Sequence, residues 1–361
     1  MPTGTQDRVA LLNTVRPLCP DVPPDVLQDF FVRLDQEYFQ RFAPSTIAEH
    51  IRLTARLTSE HLCEVTFAEQ PDQRCVITIV AYDYFSEFAM ICGLLSAFGL
   101  NIEEGDIYTF AEKTAPLSSR TNWSEHGPRI RPKATPGLVQ KKIVDVFRVH
   151  PVPGVELGRE QQHLLTDALS SVMTLLDKGQ FEEARFAVNR RLVEQLGKRR
   201  ASFGGLLYPV QITFDNSQSP TDTVMEIRSD DTPAFLYAFA NALAMRNVYI
   251  SKAQFDVESG KIHDRFSVRN RHGQKLTDAT EQQQLRLTAV LIKQFTHALT
   301  WAPDPTKALE AFDQFLDLTV QQTKGKAQQK ALAFLSDKKT FPLLARLLGA
   351  SDFLWEDFLR R

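Results

Sequence analysis

Asp83 and Asp231 stand at matching places in two similar stretches, each just after a strand-like run and just before a helical one. Residues 83 to 102 align without a gap against residues 231 to 250. A helix start carries backbone N–H groups that no preceding turn accepts. It therefore attracts the carboxylate of a small ligand, while a nearby Asp or Asn receives an ammonium or amide. Ser86 and Asp231 are also placed to cap these helices. The plain use of the same residues, Asp83 and Asp231 as caps and Asn101 as a turn residue, stays open at this point. His61 with Cys63, and His263 with Asp264, are the metal-like neighbours, but neither pair has companions at ligand spacing, so no metal is expected. No other cofactor is expected either.

The elements that must hold these residues follow from periodicity. Phe88, Ile91, Cys92 and Leu95 recur at helical spacing, as do Leu236, Phe239, Ala240 and Leu243, so each stretch is a helix with one face on a sheet. Gly99 and Asn247 sit where each helix must end, a place that favours residues tolerant of positive φ. Strand-like runs precede the helices at Cys75 to Tyr82 and at Thr223 to Ser229. Later in each copy, Ile143 to Val149 and Ile262 to Val268 share the pattern apolar, x, Asp, x, Phe, x, Val. A long amphipathic helix closes each copy, beginning near Arg159 and near Thr280. Leu164, Leu165, Leu169 and Val172 are core candidates in the first, and Leu285, Leu287 and Leu291 in the second.

One further strand precedes each copy, Glu64 to Phe67 and Gln211 to Phe214. Each copy thus reads β-β-α-β-β-α, the leading strand standing in for the last strand of a β-α-β-β-α-β unit. Equally, the leading strand of the second copy could complete the sheet of the first. Side-by-side pairing of the two copies within the chain is preferred. The fold class expected is α+β, with two ferredoxin-like βαββαβ-type domains and flanking helical segments. The boundaries expected are 1–60 for an amino-terminal helical segment, 61–200 for the first copy with a helical connector, 201–300 for the second, and 301–361 for a carboxy-terminal helical segment. The first copy is longer than the second between its two aspartates. The insertion, about Lys113 to Lys142, is rich in Pro, Ser and Arg and reads as a mobile loop. The connector from Phe181 to Leu192 has an apolar stripe of Phe181, Ala184, Val188 and Leu192 and reads as a helix packed between domains.

The order strand, Asp-containing turn, helix and Gly-Leu-Asn-Ile in residues 75 to 102 resembles ACT domains. The likeness is greatest to the paired ACT domains of uridylyltransferases that modify the PII nitrogen-signal protein. Asp231-Thr232-Pro233-Ala234-Phe235 approaches the Asp-x-Pro-Gly-Leu common there but lacks its Gly, whereas Asp83 to Glu87 keeps only the Asp. His272 to Asp278 looks like the end of the second ACT domain in those enzymes, and Tyr38 to Arg52 like the segment leading into the pair. The tail, Phe341 to Arg360, is similar to the helical opening of glutamine synthetase adenylyltransferases.

The resemblance implies an amino acid, with glutamine the specific choice, seated between the strand-to-helix turn of one copy and the second strand of its neighbour. It implies Asp83, Ser86 and Asn101 in the first copy and Asp231, Thr232, Ala234 and Tyr249 in the second. It also implies allosteric control of a nucleotidyltransferase of the adenylyltransferase type, acting on glutamine synthetase or a PII-type signal protein through a catalytic portion beyond residue 361. Nucleotidyl transfer needs a Gly-Ser turn for the triphosphate and Asp-x-Asp carboxylates for Mg²⁺. The 361 residues contain no such constellation.

Composition narrows the alternatives. With 43% hydrophobic and 24% charged residues the chain is an ordinary globular protein. A formal charge of −2 supplies no field that would draw it onto nucleic acid or an anionic membrane. No run approaches the ~20 apolar residues of a membrane span, and Met1 opens no signal peptide, so a cytoplasmic protein is expected. Cys19, Cys63, Cys75 and Cys92 form no C-x-x-C pair and read as reduced, buried thiols. RNA binding is the reading from another class, because the RRM shares the layout. It would need exposed aromatics on the third strand, where each copy instead carries an Asp and no Lys/Arg-Gly-Phe run. A structural, non-sensing tandem module is the remaining alternative.

Overall fold

The computed structural model describes residues 4–111, 141–197, 211–230, 235–258, 261–270, 272–298 and 340–350, with short pieces between 302 and 315. Alternating and continuously apolar runs become strands β1 (Cys63–Glu69), β2 (Cys75–Tyr82), β3 (Leu100–Thr109) and β4 (Lys142–Pro151) in the first half. The second half repeats them as β5 (Gln211–Asp215), β6 (Thr223–Asp230), β7 (Tyr249–Glu258) and β8 (Lys261–Arg269). All eight form one sheet in the order β1-β2-β4-β3-β7-β8-β6-β5. Every neighbouring pair is antiparallel. Each leading strand pairs only within its own half, β1 on β2 and β5 on β6, and so takes the place of a last strand. The exchanged arrangement, β5 completing the first half, is not adopted. The architecture is α+β and ferredoxin-like in both halves.

The halves join through β3 and β7. Glu104 faces Asp256, Gly105 faces Phe255, Asp106 faces Gln254, Ile107 faces Ala253 and Tyr108 faces Lys252. This register places a pseudo-two-fold axis at the Asp106–Gln254 pair. Gly105 is needed here: a Cβ on it would lie 2.5 Å from the Phe255 ring.

Between the strands, α5 (Glu87–Ala97) and α8 (Phe235–Met245) lie on one face of the sheet and pack on each other. Each stops at a positive-φ residue, Gly99 at +72° and Asn247 at +55°, as expected from sequence. The long helices α6 (Arg159–Asp177) and α9 (Ala279–Ala298) cover the same face. Leu165, Leu169, Val172, Leu285, Leu287 and Leu291 are buried, whereas Leu164 is 45% exposed, which corrects its assignment to the core. The buried stripe of α6, formed by Leu165, Ala168, Leu169, Val172, Met173 and Leu176, is centred near Leu165, and Leu164 lies about 100° round the helix from it. The connector is α7 (Phe181–Gly197), whose Ala184, Val188 and Leu192 are buried. It packs on α5, and its Asn189 Oδ1 accepts a hydrogen bond from the Tyr237 hydroxyl of α8 at 2.5 Å. All four cysteines are buried and free.

The opposite face of the first half is covered by α1 (Gly4–Val15), α2 (Pro24–Arg33), α3 (Gln36–Arg41) and α4 (Pro44–Arg56). Their core includes Phe30, Tyr38 and Ile51 and takes in Val80, Tyr108 and Val144 from the sheet. Tyr38 Oη and His50 Nδ1 share a hydrogen bond of 2.7 Å, and burial pulls the His50 pKa down to about 4. The insertion expected at Lys113 to Lys142 lies outside the described residues up to residue 140, and β4 begins at Lys142. Of the tail, α10 (Thr340–Leu348) is described, and it packs on α9. No helix among the described residues is long and apolar enough to cross a membrane.

Two measurements test this packing. A Cβ at Gly93, in the middle of α5, would meet Val188 of α7 and lie 2.8 Å from the Tyr237 ring of α8. Gly93→Val should therefore lose about 1 to 3 kcal/mol of stability in urea denaturation, the usual cost of overpacking; an unchanged midpoint would contradict the three-helix contact. His50 is held neutral in the fold but takes a proton near pH 6.5 when unfolded. Stability should thus fall as pH drops from about 6.5 towards 4, by about 3 kcal/mol at most. Denaturation midpoints over that window should be flatter for His50→Gln than for wild type.

Candidate functional site

The sequence candidates occupy the two ends of the shared sheet. Asp83, Tyr84, Phe85 and Ser86 form the turn from β2 into α5, at the end of the sheet marked by Tyr82 opposite Lys142. Tyr249 begins β7 opposite Arg269 and lies at that same end, because Lys252 of β7 faces Tyr108 near the close of β3. Asn101, exposed at the start of β3, faces His150 and lies at the other end. That end is also where β6 closes at Asp230, opposite Lys261. Asp231, Thr232 and Ala234 fall outside the described residues. The seven candidates are thus not one cluster. The first turn shares an end with Tyr249, and Asn101 shares the other with the close of β6. From β2 to β7 is three strand steps of about 4.8 Å, roughly 14 Å, with α5 lying across the gap.

The first turn is built closely. The Asp83 N–H donates to the Lys141 carbonyl at 2.9 Å. Tyr84 is buried, and its hydroxyl donates to Asp177 Oδ1 at the end of α6 at 3.1 Å. Phe85 meets Phe181 at the start of α7 edge to face, with ring centroids 5.4 Å apart. Ser86 occupies the N-cap position in a left-handed conformation, φ +64°, and its side chain makes no capping hydrogen bond. That corrects the expectation of Ser86 as a cap: in this conformation the hydroxyl does not turn back onto the helix. One turn on, Phe88 stacks on Phe255 of the neighbouring half with centroids 5.7 Å apart, so the helix start and the joining strand are in direct contact.

Behind this turn lies a residue that periodicity did not single out. Asp145 of β4 faces Ile79 of β2 and Ile107 of β3 in the register, on the face covered by α5. It is fully buried, and neither carboxylate oxygen has a hydrogen-bond partner. Burial, and then the nearby charge of Asp83, push its pKa well above the carboxylate range. The thiol of Cys63 beside it is pushed up to about 12, first by burial and then by the charges of Glu64 and Asp145. Cys92 of α5 rises too, through burial first and then through Asp145 and Asp264. Asp264 of β8 holds the equivalent place in the second half and is also buried. The shared apolar-x-Asp-x-Phe-x-Val pattern was the signal that could have found this pair.

The amino-terminal helices reach the joint between the halves from the opposite face. Arg41 Nε of α3 contacts Asp106 Oδ2 of β3 at 2.8 Å. Lys252 of β7 pairs with Glu37 and, at 3.9 Å, with Asp35, and lies 5.3 Å from the centre of the Tyr108 ring. His61 Nε2 is hydrogen-bonded to Glu64 at 2.6 Å, and no group of three metal-ligating side chains gathers among the described residues. Phe147 and Phe266, the aromatics of β4 and β8, are wholly buried in the helix-covered core and offer no stacking surface.

Comparison with known proteins places the chain beside nucleotidyl-transferring enzymes. It is 32% identical over 148 residues to a bifunctional uridylyltransferase/uridylyl-removing enzyme of Ruegeria pomeroyi, a match covering 40% of this chain and 15% of that protein. Enzymes of the same description from Gluconobacter oxydans and Caulobacter vibrioides are 26% identical over 310 and 285 residues. These matches cover 84% and 79% of this chain and 28% and 25% of those proteins. The chain therefore spans 15% to 28% of the length of these three relatives. No family model matches it, and no solved structure matches it.

The left-handed Ser86 yields a direct test. An L-residue there costs about 1 to 2 kcal/mol, partly offset in a glycine variant by the freer unfolded chain. Ser86→Gly should raise stability by up to about 1 kcal/mol in urea denaturation; a clear loss would mean that the hydroxyl holds the turn.

Proposed function

We propose that this chain is an amino-acid-sensing regulatory region of the tandem ACT type, belonging to a nucleotidyltransferase of nitrogen metabolism, with glutamine as its ligand. The observation that carries the reading is the pairing of two ferredoxin-like halves edge to edge. It sets the start of α5, which the Ser86 side chain leaves uncapped, at the same end of the sheet as the opening of the neighbour's second strand. The amides of α5 take the ligand carboxylate, an acidic side chain takes its ammonium, and Asp83 in the turn accepts from the glutamine amide. The likeness to uridylyltransferase/uridylyl-removing enzymes supports a nucleotidyl-transferring setting. The similarity of Phe341 to Arg360 to adenylyltransferase openings supports a protein acceptor such as glutamine synthetase; a PII-type signal protein is the acceptor that the uridylyltransferase likeness favours.

A bound amino acid controls such an enzyme only through its different affinity for two arrangements of the region. A coupling of about 1 to 3 kcal/mol changes the partner equilibrium 5- to 150-fold. Titration calorimetry of the 361-residue chain against single amino acids should show binding of glutamine. The Asp83→Ala, Asp231→Ala double variant should lose it. If no amino acid gives a binding isotherm with the wild-type chain, the sensing reading is wrong.

A further inference from the structure

We propose that Asp145 receives the ammonium of an α-amino acid held at the turn between β2 and α5, and so sets the requirement for a zwitterion there. The inference rests on the reading that this chain binds such a ligand, and it adds a recognition residue that lies outside the turn itself.

A carboxyl group with no solvent contact and no donor on either oxygen is rare in folded proteins, because each buried acceptor left unpaired carries the full cost of its lost hydration. A Leu of similar size would fill the same place beneath α5 without that cost. The side chains of Ile79 and Ile107 flank Asp145 in the register and supply no donor. The titratable groups that face it are Asp83 from the turn, Cys63 from β1 and Cys92 from α5. One is a like charge and two are thiols that burial keeps protonated, so among the described residues no cation answers it. The internal repeat puts a second aspartate, Asp264, at the same place in the other half, also buried. An acid left without a donor among apolar residues, as Asp145 is, has a use that packing does not supply.

The missing partner is a cation small enough to enter beneath the start of a helix. The helix start itself, uncapped at Ser86, takes an anion. The two features together describe a molecule with a carboxylate and an ammonium on one carbon. In the empty protein Asp145 holds its proton; when the ligand ammonium arrives, that proton leaves to solvent and an ion pair forms in its place. Since Asp145 is closed off from water, the turn has to swing outward to admit the ligand. Its Tyr84 and Phe85 anchors on Asp177 and Phe181 then register the movement in α6 and α7.

The test is calorimetry of the full 361-residue chain, wild type and Asp145→Asn, with glutamine and with 4-carbamoylbutanoate, the same molecule without its α-amino group. Runs in two buffers of different ionisation enthalpy count the protons released. The expected result is release of about one proton per glutamine by wild type and at least tenfold weaker binding by Asp145→Asn, whose own melting temperature is not lowered. 4-Carbamoylbutanoate should bind at least tenfold more weakly than glutamine. Glutamine affinity within twofold of wild type in Asp145→Asn overturns this inference and leaves the sensing reading standing. Absence of binding by the wild-type chain overturns the sensing reading itself. If Asp145→Asn does not fold, the wild-type proton count decides: release of about one proton supports the assignment, and no release overturns it.

Discussion

The antiparallel joint between β3 and β7 is the constraint on which the rest of the molecule depends. It works by matching large to small across the pseudo-two-fold axis: Phe255 lies over Gly105, and on the other side of the axis Ile107 faces Ala253. Two ferredoxin-like halves with open edges would each leave a row of unpaired N–H and C=O groups. Joining them converts two such rows into ladder hydrogen bonds. Once β3 and β7 are in register, α5 and α8 must run side by side above them, and the glycine at position 93 lets them approach with α7 in the groove. The closes of β2 and β6, the strands that lead to these helices, are then fixed at opposite ends of one continuous sheet.

The symmetry is broken on the other face. The helices α1 to α4 cover only the first half, burying Val80, Tyr108 and Val144. The second half presents Glu226, Arg228, His263 and Arg265 there, partly or fully exposed. Surface ion pairs usually contribute 1 kcal/mol or less, but the contacts from α3 to the joint differ in kind. The side chains of Asp106 and Lys252 keep only 10% and 12% of their exposure, and they belong to different halves. Through Arg41 and Glu37 a single short helix therefore grips both strands of the joint. A change in the angle between the halves has to be felt by the amino-terminal helices.

Much of this was legible in the residues, and the rest was hidden for identifiable reasons. The repeated helix could be placed because its apolar stripe ends in Gly99 and Asn247, whose conformational tolerance marks a stop. Where β1 and β5 pair was open, because alternation fixes which face a strand buries and says nothing about its neighbour. Asp145 escaped notice as a site for a related reason. In a strand with one wet face, a polar residue between apolar ones points outward. Here α1 to α4 cover that outer face at Val144, so β4 is apolar and buried on both sides beside Asp145, and the usual inference from alternation fails. The bridge from α3 to Lys252 left no trace in the sequence at all, since charged residues on a short helix read as a solvated face until a partner strand is known.

The separation of the two turns limits how they can influence each other. The close of β2 and the close of β6 lie apart by the length of an eight-residue strand, roughly 24 Å at about 3.4 Å per residue, and by five strand steps of about 4.8 Å, roughly another 24 Å, across the sheet. At physiological ionic strength charges are screened over about 8 Å, so a ligand's charge at one turn is scarcely felt at the other. Packing has to carry any coupling. The described contacts supply a continuous route: Phe88 stacked on Phe255 ties the start of α5 to the joining strand, Gly93 seats α5 against Tyr237 of α8, and Asn189 fixes Tyr237 to α7, which begins at the Phe181 ring under Phe85. A displacement of the first turn therefore moves α5 and α7 together and reaches α8 through a close-packed contact that has no slack to absorb it. The same route ends at α8 of the second half, so the two halves can act as one unit across the sheet.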